Sequence, residues 1–275
     1  MSFSVNTNTG AMTALQYLNE TQGQLARTQN AINSGLKVAS AKDDGAIYAI
    51  AQNQRGAIAG FQSVASSLNN GSSAIEVALS AGQSISDLMI QLKQKALSAA
   101  DPSLDTASRQ ALNSDFTALR DQISTIVKNA VFNNFNLVDG STTKVQALAS
   151  ADGSRRITTM AQNMSLSGSI VTLKSTATVS TQAKASTLVA TIQSSLTNVN
   201  SALAKLSAGA AKFSIQATFA QNLSDTLKIG IGHLVDANMA EESASLQSLQ
   251  VKQQLGIQAL SIANQAPQTI LSLFR

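Results

Sequence analysis

The chain has no cysteine, no tryptophan, two prolines and a single histidine among its 275 residues. Without cysteine there are no disulfides and no thiolate chemistry. His233 stands alone beside Gly232, so it suits a structural or solvent-exposed place better than a metal or catalytic one. Aromatics reach only 4%, which excludes a thick globular core. Charged residues reach 12%, about half the share of an ordinary soluble domain, with Ser, Thr, Asn and Gln in their place. Such an uncharged surface is expected to meet partners. The net charge of +4 sits in no run of Lys or Arg and has no interleaved aromatics, so no nucleic-acid binding is expected. No stretch of roughly eighteen apolar residues occurs, and no membrane insertion is expected. Residues 1–19 are uncharged, and Asn6, Thr7, Asn8 and Thr9 interrupt any apolar run, so no secretory signal is expected there. Phosphate-loop and dinucleotide fingerprints are missing. The acidic pairs Asp43-Asp44 and Glu241-Glu242 are neighbours in sequence, so they do not face one site on a helix; capping is the better role. An enzyme is not expected, nor a cofactor.

What the chain has is helical period. From Ile47, steps of three and four reach Ile50, Phe61, Val64, Leu68, Ile75, Ile85 and Leu92, and the pattern runs to Ala99 without a proline. A 3.5-residue period held this long describes one helix with a narrow apolar seam, roughly 80 Å long. Asp101-Pro102-Ser103 marks a turn, with Asp105 or Thr106 placed to cap a returning helix that carries Leu112, Phe116 and Ile123. A short turn makes that helix antiparallel to its neighbour. After Asn133-Asn134 the period falls to two. Val145, Ala147 and Ala149 alternate with polar residues, Asp152-Gly153 turns the chain, and Ile157 and Thr159 continue. Val171 and Leu173 suggest a further short strand. From about residue 181 the helix returns with Leu196, Val199, Leu203, Leu206 and Phe213.

The ends carry their own seams. Leu15, Leu18, Leu25, Ile32 and Leu36 form one, interrupted by glutamines. Leu246, Leu249, Leu255, Leu260, Ile262, Ile270, Leu271, Leu273 and Phe274 form the other, with no charge between Lys252 and Arg275. Seam phase is lost around Ser40-Ala41-Lys42-Asp43-Asp44-Gly45, and glycines recur at Gly230 and Gly232. The expected plan is a helix over 1–35, a connector over 36–45, a helical body over 46–229 with a hairpin at about 141–180, a connector over 230–238, and a helix over 239–275. The fold class is mainly α: a long antiparallel coiled-coil rod with a small β-hairpin appendage, plus a terminal helix pair.

The segment Asn33-Ser34-Gly35-Leu36-Lys37-Val38-Ala39-Ser40-Ala41-Lys42-Asp43-Asp44 resembles the flagellin motif that joins the amino-terminal helix to the shell domain. Asn133-Asn134-Phe135-Asn136-Leu137 is similar to the segment that closes the amino-terminal half in that family. Glu241-Glu242, Gln253-Gln254-Leu255-Gly256 and Ala263 to Phe274 resemble its carboxy-terminal pattern. The resemblance covers roughly 1–140 and 183–275, and the short middle is like that of alphaproteobacterial flagellins. It implies a subunit that self-assembles into the flagellar filament used for swimming. It further implies secretion through the flagellar type III export apparatus with an export chaperone, and growth beneath a filament cap on hook-junction proteins. The terminal seams would pack the filament core, and the seam from Ile47 to Phe213 would build the shell. A hook-filament junction protein shares this terminal plan, and a cytosolic coiled-coil adaptor is the alternative from another class. An adaptor's ends should be charged.

Overall fold

The computed structural model describes residues 7–272, with side chains as far as Gln265. Five helices and four short strands follow in order: α1 (Thr9–Ser34), α2 (Gly45–Ala99), α3 (Thr106–Asn129), β1 (Val131–Phe132), β2 (Phe135–Asn136), β3 (Lys144–Leu148), β4 (Arg156–Met160), α4 (Gln182–Val235) and α5 (Met239–Ser272). The fold is mainly α, with two antiparallel hairpins. The chain divides into two compact units, one of residues 1–56 and 226–275, the other of residues 57–225. Helices α2 and α4 contribute to both.

In the first unit, α1 and α5 pair antiparallel. The Asn8 carboxamide caps α1 by accepting from the Ala11 amide, and its Nδ2 donates to the Ala263 carbonyl at 2.7 Å. At the other end Gly35 takes the left-handed conformation (φ 72°) and closes the helix with a bond from its amide to Ala31. Between α1 and α2 the chain runs non-helical over 35–44. Within that stretch the Asp43 carboxylate accepts from the Ala39 and Ser40 amides and the Ser40 hydroxyl. The Ser40 bonds, ahead of the Ala39 bond and the charge of Arg27, hold its pKa below the usual carboxylate value. Asp44 caps α2 by accepting from Ala46 and Ile47, both at 2.9 Å.

The second connector is shorter than the glycines suggest. Helix α4 continues through Gly230 and Gly232 to Val235, leaving only 236–238. Each helical glycine costs about 1 kcal/mol against alanine, but burial of Ile231 and Val235 outweighs it.

The second unit is built on α2 and α4, which run antiparallel with Gly71 facing Phe213, Gly82 facing Leu203 and Lys93 bonded to Gln193. A side chain at Gly71 would strike the Phe213 ring, and one at Gly82 would lie 2.6 Å from Leu203. Glycine supplies the hole and the large residue opposite fills it. Helix α3, capped by Asp105 through the Ser108 amide, returns along α2. The turn is held by Arg109, which is buried and donates to the carbonyls of Ala99, Asp101 and Leu104. The hairpin β3–β4 pairs Val145 with Thr159 and Ala147 with Ile157. It is seated on the helices by the Leu148 amide donating to Ser67 Oγ and by Gln216 donating to the Ala149 carbonyl.

Two local expectations differ. Val171 and Leu173 are fully buried but form no strand; the Thr172 amide between them donates to Ser195 Oγ on α4 instead of to another strand. Asn133-Asn134, expected simply to stop a helix, is the turn of hairpin β1–β2, both residues having positive φ (46° and 66°), as a two-residue hairpin turn requires.

Three outcomes follow from these contacts. Gly71→Ala should lower stability by about 1–2 kcal/mol, overpacking at Phe213 exceeding the helix-propensity gain. Gly56→Ala, with open space around it, should raise stability by about 0.5–1 kcal/mol; denaturant melts compare the two. Arg109→Met should cost about 2–3 kcal/mol by stranding buried carbonyls, read in the same way. At the hairpin tip, bonds from the Ser150 and Ser154 hydroxyls lower the Asp152 pKa to about 2. Its folded value lies below its unfolded one, so its contribution is complete above the unfolded pKa of 3.8 and lost as pH falls through about 2. A carboxyl NMR titration should show that midpoint, and Asp152→Asn should remove this part of the acid response of the hairpin.

Candidate assembly interface

For a chain whose chemistry is packing, the site is the set of apolar side chains that the single chain leaves uncovered. In the first unit, α1 touches α5 along a single stripe. Leu18 sits against Gly256, where an added Cβ would lie 3.2 Å from Leu18 Cδ1, and Leu18 and Leu249 are buried. Leu25, Ile32, Leu36, Leu246 and Leu260 are half-buried. Leu15, Leu255 and Ile262 are exposed, Ile262 to 69%. Ile270 and Leu271 have no described side chains, and Leu273 and Phe274 lie outside the described residues. Met12, Tyr17, Val251 and Ile257, not singled out by the seams, are also exposed. Two helices in contact bury one stripe each, and these residues lie off it.

Charge is distributed unevenly along this pair. A polar groove of about 620 Å³ near the connectors holds Arg27, Glu241 and Lys252 together with Gln24 and Thr28. Beyond it, α1 before Glu20 and α5 after Lys252 carry no charge. The end of the pair is therefore apolar and neutral, a surface that water solvates poorly and a copy of the same surface could cover.

The seam residues of the second unit lie together. Val64, Leu68, Ile75, Ile85, Leu92, Phe116, Ile123, Val199, Leu206 and Phe213 are buried in one cluster, with Phe61, Leu112, Leu196 and Leu203 packed half-buried against it. At the start of α2 the pattern shifts. Ile47 is half-buried, but Ile50 is 49% exposed and Ala51 is buried in its place. Leu137, Val138, Met164 and Val179 complete the core from irregular chain, where no period marks them.

Asp43 and Asp44 serve the connector and the cap, and His233 is exposed, its carbonyl accepting from Lys37 Nζ. Among the described residues no group of three His, Cys, Asp or Glu could hold a metal ion, and no helix is long and apolar enough to cross a membrane.

Comparison with known proteins gives this arrangement a family. Residues 5–143 match the bacterial flagellin N-terminal helical region, and residues 189–274 match the bacterial flagellin C-terminal helical region. Flagellin FljK of Caulobacter vibrioides is 51% identical, the match covering 99% of this chain and 98% of the relative. Flagellin FljM of the same organism is 49% identical over the same shares. The flagellin of Brucella melitensis is 33% identical with 99% of each chain covered. Matched in both terminal regions and end to end by such relatives, the chain belongs to the bacterial flagellins, the structural proteins that self-assemble into the flagellar filament.

Proposed function

We propose that, within the filament, the two units divide the work. The α1–α5 pair with its connectors packs the filament core, and the unit of residues 57–225 forms the shell around it. The observation that carries this reading is the neutral, apolar end of the α1–α5 pair, with Leu15, Leu255 and Ile262 uncovered. One chain cannot bury these faces; copies packed side by side can. In the second unit the seam residues already share a closed core, although Leu97, Ile215 and Phe219 stay exposed.

The same reading extends to how the subunit reaches its place. It leaves the cell unfolded through the flagellar type III export apparatus, escorted by an export chaperone, and joins a filament outside the cell beneath the cap, above the hook-junction proteins. Two features support this. The chain has no disulfide to form or break in transit. The terminal helices expose apolar side chains that a chaperone would shield before assembly supplies the final cover.

The test uses a position that the single chain leaves open. Ile262→Asp should leave the melting of the monomer almost unchanged, because the side chain is 69% exposed. In the filament the carboxylate would be buried among apolar neighbours at a cost of several kcal/mol, so elongation of seeds should be lost. Leu260, half-buried against its own chain, is the less clean probe. Wild-type elongation by the Ile262→Asp protein, followed by sedimentation and electron microscopy, would show that this face is not in the core.

A further inference from the structure

We infer that Met12 is an oxidation site that controls assembly: its thioether lets the free subunit join a filament, and its sulfoxide does not. The inference rests on the core reading above and adds regulation to the same face. With no cysteine and no tryptophan in the chain, the methionine sulfurs are the groups that two-electron oxidants attack first.

Burial sorts these sulfurs. Met89 and Met164 are fully buried in the core of the second unit. Met12, Met160 and Met239 are exposed, to 65%, 60% and 45%. Met160 ends β4, and Met239 opens α5 two residues before Glu241. Of the three, only Met12 stands within the charge-free stretch of the α1–α5 pair. Leu15, also exposed, follows three residues later on the same side of α1. Asn8 bonds to Ala263, and Leu18 sits against Gly256. That antiparallel register sets Met12 level with the turn of α5 that carries Leu260 and the exposed Ile262. An adaptable thioether thus sits in the middle of the uncovered apolar face.

The reaction needs a peroxide. The sulfur lone pair attacks one oxygen of hydrogen peroxide, and an S–O bond forms as the O–O bond breaks. Sulfur is oxidised by two electrons, the peroxide is reduced, and the second oxygen leaves as water with both protons. A methionine sulfoxide reductase supplied with a dithiol reverses the step. The oxygen then leaves as water, and the dithiol closes to a disulfide. Oxidation turns a flexible apolar side chain into a polar one, with a strong acceptor and no donor. On the free subunit that oxygen faces water. Packed among apolar side chains of neighbouring copies it would be buried without a partner. Oxidation therefore acts on assembly and leaves folding alone. A subunit already packed keeps its sulfur away from the oxidant.

The experiment treats the full chain with hydrogen peroxide, maps sulfoxide by peptide mass spectrometry and scores elongation of untreated seeds. Met12 should be oxidised while Met89 and Met164 are spared. Elongation should slow roughly tenfold or more, with melting unchanged, and recover after treatment with reductases for both sulfoxide epimers. Met12→Leu should keep its rate through the same treatment, whereas Met160→Leu and Met239→Leu should lose it as the wild type does. Met12→Gln, polar without any oxidant, should elongate slowly from the start. Met12 in built filaments should resist the peroxide. Undiminished elongation by chain oxidised at Met12, or equal loss in treated Met12→Leu, would overturn the switch. Continued failure of Ile262→Asp to elongate would then leave the core reading standing. Oxidation of Met12 in filaments as fast as in free chain would overturn both.

Discussion

Three backbone hydrogen bonds hold the first unit in register. The Lys37 and Val38 amides both donate to the Val235 carbonyl, and the Ala237 amide donates to Gly35, so the two connectors cross as an antiparallel bridge between Leu36 and Asp236. Val38 and Val235 are buried at this crossing. Backbone groups removed from water must find partners or cost about 1–3 kcal/mol each. The bridge therefore tolerates no slippage, and it dictates which part of α5 lies beside which part of α1. The pairs Asn8 with Ala263 and Leu18 with Gly256 follow from that register. So does the placing of the neutral segments side by side.

The second unit solves a different problem with few resources. With 4% aromatics and much alanine it cannot fill a wide core. It sets large side chains into the space beside glycines instead. Gly71 and Gly82 receive Phe213 and Leu203 from α4, and the side chain of Thr159 fills the space at Gly209. Interiors pack as densely as organic crystals, so in a thin helical layer each bulky residue needs a small one opposite. One of the scarce aromatics, Phe213, sits where a glycine makes room for it. Arg109 closes the α2–α3 turn by a related economy, one side chain pairing three carbonyls that the turn would otherwise leave buried and bare.

Long-range order was legible wherever a period is sustained. Helices α2 and α3 begin and end within a residue or two of the positions that seam, cap and turn signals indicate, and the β3–β4 hairpin follows from alternation around Asp152-Gly153. What period cannot show is how the glycines are used. Gly230 and Gly232 read as a break, yet they are helical because burial of Ile231 and Val235 overrides propensity. Asn133-Asn134 reads as a stop, although two residues able to adopt positive φ are also a hairpin turn. Ile50 falls on the counted seam and outside the packed one, where Ala51 is buried in its place. For the assembly faces, the sequence marks which residues are apolar but not which the chain covers itself. Leu18 and Ile262 are equivalent in pattern and opposite in exposure.

That difference in exposure connects the fold to the polymer. A subunit that covered every apolar face alone would have no reason to associate, and one that covered none would aggregate without register. This chain separates the two demands. Residues that fix internal geometry, such as Leu68, Ile85 and Phe213, are sealed in a core that assembly need not disturb. Leu15, Leu255 and Ile262 are left open on helices whose register the connector bridge fixes. Copies packed there as proposed would meet a patterned surface, not a loose one. Low charge serves the same end: where α1 and α5 run neutral, copies packed there as proposed would meet without like-charge repulsion or the cost of stripping water from ions.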